Sequence, residues 1–133
     1  MADEATCIET PTIFRRYTVA DGNTIPIGTM LRLTTPNTAV AHSGDAQVFA
    51  GIAWEEKTAD DGITEITAAL NGMWDITDGG AGFTVGAILA LDGTANEVRP
   101  AIAAELLTGA ALGKALETAA GDGVARVAIG QMI

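Results

Sequence analysis

The stretch "IPIGTMLRLTTPNTAVA", residues 25 to 41, recurs in altered form as "FTVGAILALDGTANEVRP", residues 83 to 100. Gly28 aligns with Gly86 and Val40 with Val98, in both cases at an offset of 58 residues. In each copy, apolar residues alternate with other residues before a turn, which is the pattern of a strand that ends in a tight turn. The repetition therefore predicts two modules of the same structure, one after the other along the chain.

The similarity continues downstream, where "AGIAWEEKTADDGITEITAAL" at residues 50 to 70 resembles "LGKALETAAGDGVARVAIG" at residues 112 to 130. Here Ile63 aligns with Val124 and Ile66 with Val127, so the offset has grown to 61 residues. The larger offset predicts a small insertion in the second copy, near residues 103 to 110. The two pseudo-repeats extend over about residues 25 to 70 and 83 to 130.

Composition and pattern favour an all-β fold. The chain of 133 residues is 48% hydrophobic but only 5% aromatic, and it contains 16 glycines, as expected for short strands with many tight turns. We expect a small β-barrel or sandwich that forms a single domain over residues 21 to 133. Six glycines are predicted to serve as structural turns, and these are Gly28, Gly51, Gly62, Gly86, Gly113 and Gly123.

One segment, "AIAAELLTGAALGKALETAA" at residues 101 to 120, also fits a helix, because alanine and leucine are strong helix formers. Gly109 and Gly113 oppose a long helix, since glycine inside a helix costs about 1 kcal/mol relative to alanine. The repeat also aligns the end of this segment with a strand. We predict a short helix within residues 101 to 108 and a strand over residues 110 to 118.

Residues 1 to 20 have no counterpart in the repeat and are predicted to form an extended N-terminal arm. Within "TIFRRYTV", side chains alternate as they do along a single extended strand. An edge strand pairs with whatever edge is available, so a second interpretation stays open. In that interpretation the segment is a strand of the chain's own barrel, or one exchanged between protomers.

The charge balance excludes several partners. With 17 acidic and 7 basic residues the formal net charge is −10, so nucleic acid would be repelled. The most apolar segment is interrupted by Glu105, Lys114 and Glu117, so no membrane span is expected and we predict a soluble protein. The single cysteine, Cys7, permits no internal disulfide and belongs to no metal-binding pair.

No catalytic motif is recognisable, and neither a cofactor nor a metal is expected. The single histidine, His42, could act with Asp45 in a small enzyme, but the sequence contains no nucleophile motif to accompany them. The acidic turns lack the calcium-loop pattern, and Asp-Gly is ordinary hairpin chemistry. Trp54 and Trp74 are predicted to be core or interface anchors, with an exposed sugar-stacking face on a host-adhesion module as the alternative.

The order of short motifs over residues 25 to 130 resembles the capsid decoration, or cement, proteins of tailed phages and related viruses. The first half contributes Pro26, Gly28, Leu31, Phe49, Gly51, Ile52, Ala53, Glu55, Gly72, Trp74, Asp75 and Ile76. The second half contributes Gly86, Leu89, Leu91, Asp92, Gly113, Ala115, Leu116, Glu117, Gly123, Arg126 and Val127. Two features depart from the family pattern, namely the lengthened segment around residues 101 to 111 and the long N-terminal arm.

The resemblance implies a protein without an active site, made in the host cytoplasm and located on the outer capsid surface of the virion. Such a protein bridges subunits of the major capsid protein and stabilises the head, commonly as a homotrimer, with a dimer as the alternative. We expect the arm to add as a strand to an edge of the shell. In this hypothesis Ile13, Phe14 and Tyr17 fill pockets, while Arg15 and Arg16 pair with carboxylates.

Overall fold

The computed structural model describes residues 3 to 130. This part of the chain forms eleven strands and one short helix. In chain order the elements are β1 (Thr6–Glu9), β2 (Phe14–Thr18), β3 (Met30–Thr35), β4 (Thr38–Ala41), β5 (Phe49–Ala53), β6 (Glu65–Ala69), β7 (Met73–Asp78), β8 (Ile88–Leu91), β9 (Glu97–Pro100), α1 (Ala103–Thr108), β10 (Ala111–Ala115) and β11 (Val124–Ile129).

The strands form two closed five-stranded barrels with the same connectivity. The first barrel has the order β2-β4-β3-β5-β6, and the second has the order β7-β9-β8-β10-β11. Each barrel contains one parallel pair, which is Thr18 with Thr38 in the first and Thr77 with Glu97 in the second. The predicted all-β fold of two repeated modules is confirmed. Each module closes its own barrel, whereas a single barrel over residues 21 to 133 was expected.

The repeat begins earlier than the sequence indicates, because β2 occupies the position in the first barrel that β7 occupies in the second. β2 pairs with β6 along its whole length, from Phe14 opposite Ala69 to Thr18 opposite Glu65. The expectation of an arm outside the barrel is thereby corrected for residues 14 to 18, which form a strand of the chain's own barrel. Without β2 the first barrel would expose the edges of β4 and β6.

The first strand, β1, connects the two barrels. It pairs with β7 of the second barrel through Thr6 with Asp75 and Cys7 with Trp74. Just before it, the Ala5 N–H donates to the Gly28 carbonyl of the first barrel at 2.8 Å. Residues 5 to 9 therefore form a strap between the barrels.

Strand pairing also corrects the alignment of β6 with β11. Ala53 pairs with Ala68 in the first barrel, and Ala115 pairs with Val127 in the second. Ala68 is therefore the structural counterpart of Val127, whereas the sequence alignment matched Val127 with Ile66. The Asp-Gly turns are similar in the two copies, but the connection between β10 and β11 is shorter than that between β5 and β6. Aligning the two turns therefore shifts β11 out of register with β6.

The predicted insertion is the helix α1, which lies within the expected range of residues 101 to 108. Gly109 follows the helix with a φ of 79° and ends it in the left-handed conformation. The chain then enters β10, as the repeat predicted.

Two apolar clusters fill the molecule. The first lies inside the first barrel and includes Tyr17, Ile25, Leu31 and Ile66. The second fills the second barrel, and it also contains Met30, Ile52 and Ala69 from the first barrel. Since these three first-barrel residues share a core with the second barrel, the two barrels pack as one body.

The predicted turn glycines fall into two groups. Gly28 and Gly86 lie in equivalent turns with the same φ of 90°, a conformation that favours glycine. Gly62 and Gly123 also lie at turns. The prediction of turns at Gly51 and Gly113 is wrong, because these glycines lie inside β5 and β10. At Gly113, a β-carbon would lie 2.1 Å from the Ala128 carbonyl oxygen of the neighbouring strand.

Candidate docking surface

The residues predicted to bind a shell differ in their exposure to solvent. Ile13 and Phe14 are 53% and 42% exposed, and Arg15 is also exposed. Tyr17 is 7% exposed, and its hydroxyl donates to the Ala50 carbonyl at 2.7 Å inside the first barrel. Burial raises the pKa of this hydroxyl. The role predicted for Tyr17 in a partner's pocket is therefore wrong, because its ring belongs to the core.

Arg16 is exposed but has carboxylate partners within its own chain. Its Nη1 lies 3.3 Å from Glu55 Oε1 and its Nε lies 3.4 Å from Glu65 Oε1. Glu55 also accepts the Thr67 N–H at 2.6 Å, and the pKa of Glu55 is lowered by its hydrogen bonds with Thr67 and by the charge of Arg16. These ion pairs are solvent-exposed, so each contributes little to stability.

A row of three aromatic rings runs from the surface into the core. Phe14 and Trp54 have ring centroids 5.5 Å apart, and Trp54 and Trp74 meet edge to face at 6.0 Å. Trp74 is 1% exposed and its Nε1 donates to the Asn71 carbonyl. Trp74 is therefore a core anchor and presents no stacking face, while Trp54 is half-buried between the other two rings.

A cleft of about 520 Å³ opens where the two barrels meet. Ile13 lines it on the side of the first barrel, and Met73 and Leu116 line it on the side of the second. Of the described lining residues only Glu9 is charged. We call Ile13, Met73 and Leu116, together with Phe14 that follows Ile13 in the chain, the junction surface. Its four side chains are apolar, while the cleft is also lined by Glu9 and Asn71.

His42 and Asp45 do not form the catalytic pair considered from the sequence. His42 is 1% exposed; its Nε2 lies 2.6 Å from the Asp92 carbonyl oxygen, and its Nδ1 accepts the Asn96 N–H at 3.1 Å. Burial lowers the pKa of His42 below its usual value. Asp45 instead forms an ion pair with Arg99 at 2.8 Å. The ring of His42 thus joins the first barrel to the second.

Sequence reasoning missed the buried lysine. Lys57 is completely buried, and its Nζ donates to Asp61 Oδ1 at 2.7 Å and to Asp21 Oδ1 at 3.2 Å. Burial alone would lower the pKa of Lys57, but the hydrogen bonds and charges of these carboxylates raise it overall. The hydrogen bond from Lys57 helps to hold the pKa of Asp61 at about 2. The i and i+4 spacing of Lys57 and Asp61 predicts a contact only on a helix, and these residues lie in the connection between β5 and β6, so the sequence carried no usable signal for this pair.

Residues 3 to 130 include no group of three or more histidine, cysteine or acidic side chains arranged to hold a metal ion. Within the same residues no helix is both long and apolar enough to cross a membrane.

Comparison with protein-family models finds no matching family, and a search of curated proteins gives no significant match.

Proposed function

We propose that the chain is a viral capsid decoration protein that binds the outer surface of an icosahedral head and bridges subunits of the major capsid protein. The proposal starts from the resemblance of the motifs over residues 25 to 130. The observation that carries it further is the junction surface, because Ile13 is exposed at the cleft between the two barrels and Phe14, next to it in the chain, is exposed as well. An apolar area of this kind typically marks an interaction site.

The scaffold suits a binding role. Two closed barrels with a shared apolar core hold Phe14 and Met73 on strands, and Ile13 and Leu116 directly adjoin strands, so little ordering is needed when a partner binds. Arg15 is exposed next to Phe14 and supplies a cation that can pair with a shell carboxylate. The remaining acidic surface would face the medium and keep virions apart.

In this proposal the mode of binding changes from the one expected from the sequence. β2 is committed to the first barrel, so it is not free to add to an edge of the shell. Docking would use side chains of the junction surface, with Ile13 and Phe14 in apolar contact and Arg15 at the margin. Homotrimers would multiply weak single contacts into lasting attachment.

The test is co-sedimentation with expanded empty shells assembled from a major capsid protein. The Ile13→Asp variant should bind at least about tenfold more weakly, as expected for a buried apolar contact replaced by a charge. Val124→Asp is the matched control, because Val124 is 61% exposed and lies outside the junction surface. The proposal fails if the wild-type chain stays in the supernatant or if Ile13→Asp binds as well as the control.

A further inference from the structure

The two barrels contain the same turn, but only one of the two turns is covered by another segment of the chain. We call residues 26 to 29 of the first barrel the Gly28 turn and residues 84 to 87 of the second the Gly86 turn. In each turn the last residue donates its N–H to the carbonyl of the first, at 3.2 Å in the Gly28 turn and 3.1 Å in the Gly86 turn. Gly28 and Gly86 share a φ of 90°. The two turns therefore have the same backbone conformation.

In the first barrel, the strap crosses the Gly28 turn. The Ala5 N–H donates to the Gly28 carbonyl at 2.8 Å, and a β-carbon on Gly28 would lie 2.4 Å from the Ala5 carbonyl oxygen. Glycine permits this close approach because it has no side chain. Ala5 is only 8% exposed and belongs to the apolar cluster that the barrels share. The Gly28 turn thus binds an extended main chain that carries a small, buried side chain.

The Gly86 turn is not covered in this way by any of the described residues. Apart from the chain neighbours of Gly86, no heavy atom of residues 3 to 130 lies within 4 Å of the position that a β-carbon would take. Thr29 in the Gly28 turn is 0% exposed, whereas its counterpart Ala87 is half-buried. Val85, the residue before Gly86, is 63% exposed. The second copy of the turn is therefore formed but open to solvent.

A cleft of about 480 Å³ adjoins the Gly86 turn. Thr84 and Ala87 of the turn line this cleft together with Phe83, Thr118 and Ala119. All the described residues that line it are uncharged. Because the turn is already fixed by its own hydrogen bonds, a partner would bind a site that needs little ordering.

The strap indicates which partner the Gly86 turn fits. Residues 5 to 9 of another copy are not the source, because the Gly28 turn and β7 of their own chain hold them. The net charge of −10 also disfavours an acidic segment. We infer that the Gly86 turn binds an extended, neutral or basic segment of a different protein. An N–H of that segment donates to the Gly86 carbonyl, and a small side chain lies at the cleft.

This inference does not depend on binding to a shell, so its test needs only the purified full chain and a synthetic peptide. The peptide copies residues 3 to 9, with amides in place of its three carboxylates and serine in place of Cys7. Because β7 also holds the strap, the peptide alone should bind weakly, and an NMR titration to about 5 mM covers this range. Binding should shift the amide signals of residues 85 to 87 more than that of Gly28. If these signals do not shift, the inference is wrong, while the proposed function is judged separately by co-sedimentation.

A substitution in the turn tests whether close approach of the main chain is required. Gly86→Ala adds the β-carbon that would collide with a bound segment, and it should weaken peptide binding at least about tenfold. Gly62→Ala is the matched control, because Gly62 has a φ of 82° and an equally open β-carbon position outside the site. Both variants therefore carry similar backbone strain, and their thermal melts should agree. Equal peptide binding by the two variants would overturn the assignment.

A change in the peptide tests the hydrogen bond without altering the protein. Ala5→Pro in the peptide removes the N–H that should donate to the Gly86 carbonyl. We expect this peptide to bind the wild-type chain about fivefold more weakly or worse. This comparison stays decisive even where Gly86→Ala folds poorly. Equal binding of the alanine and proline peptides would contradict recognition through the main chain.

Discussion

The Nε2 of His42 in the first barrel lies 2.6 Å from the carbonyl oxygen of Asp92 in the second. The other ring nitrogen accepts the Asn96 N–H, so the bonded form is the neutral ring with its proton on Nε2. A second proton would have to be placed on Nδ1, where it would face the Asn96 N–H in a buried site. The contact between the barrels therefore depends on a neutral histidine.

From this we predict that acid weakens the folded state through His42. Burial lowers the folded-state pKa below the ordinary 6.5, so the unfolded chain takes up the proton first as pH falls. The stability contributed by neutral His42 is complete above about pH 6.5 and is lost as pH falls from there towards the lowered pKa. Urea unfolding between about pH 8 and pH 5 should show a smaller pH dependence for His42→Gln than for the wild type. Identical dependence in both proteins would contradict the prediction.

The buried Lys57 should be essential to the base of the first barrel. Lys57→Met removes hydrogen bonds to Asp21 and Asp61 and leaves their carboxylates without the cation. We expect the melting temperature to fall by several degrees. Lys114 should tolerate the same change to methionine, because it is only half-buried in β10 and has no such cluster of acceptors among the described residues. Scanning calorimetry compares the two variants.

The wild type and the Lys57→Met variant should differ in how acid affects their stability. The pKa of Asp61 is about 2 in the folded chain, below its ordinary value of 3.8. This carboxylate therefore stabilises the wild-type fold fully above pH 3.8, and the contribution is lost as the pH falls from 3.8 towards 2. Lys57→Met should lose this contribution already at neutral pH. Melting curves between pH 7 and about pH 3 measure the difference.

Gly113 is expected to tolerate no side chain. Its β-carbon would lie 2.1 Å from the Ala128 carbonyl oxygen and 2.9 Å from the Ile129 α-carbon, both in the neighbouring strand. Gly113→Ala should therefore cost about 1–3 kcal/mol of unfolding free energy through forced backbone movement. Gly93→Ala is the control, because no atom lies within 4 Å of its β-carbon position. Chemical denaturation of both variants decides whether the close approach is responsible.

Arg99 is predicted to fix α1. Arg99→Leu removes the bidentate partner of the buried Glu105 and the partner of Asp45. We expect a loss of about 3–5 kcal/mol in local stability, as is usual when one member of a buried ion pair is removed. Amide hydrogen exchange should accelerate in residues 102 to 110 more than in β5. Unchanged exchange across the helix would show that its packing alone holds it.

Two N-terminal deletions should distinguish the role of β1 from that of β2. A chain that lacks residues 1 to 11 loses the strap but keeps both closed barrels, since β2 begins at Phe14. A chain that lacks residues 1 to 20 also loses β2, so β4 and β6 become open edges. We expect the first deletion to fold with a lowered melting temperature and the second to aggregate. Circular dichroism and light scattering distinguish the two outcomes.

The repeated glycine and leucine pattern was enough to predict two β-modules and the helix between β9 and β10. It could not predict β2 as the counterpart of β7, because "FRRYT" and "MWDITD" have only one threonine in common, too little to align them without their strand pairing. Closure into two barrels likewise depends on pairings between distant strands. Burial of Lys57 and His42 escaped prediction because each depends on backbone carbonyls that only the folded chain brings together.

The sequence pattern predicted that Ile13, Phe14 and Tyr17 contact one partner, but the structure leaves only the first two exposed and buries Tyr17. Neighbouring residues of a strand point to opposite faces, so one stretch of five residues cannot place all its side chains on one partner. The sequence of residues 1 to 20 could not predict that Leu116 lines the cleft, because Leu116 belongs to the second barrel.

The strap has a consequence for synthesis of the chain. β1 leaves the ribosome first, yet its partner β7 follows only after every strand of the first barrel has been translated. Domains generally fold in the order in which they emerge, so the first barrel can close while β1 still has no strand to join. The strand made before the others is thus among the last to find its partner, and the union of the two barrels awaits translation of the second barrel.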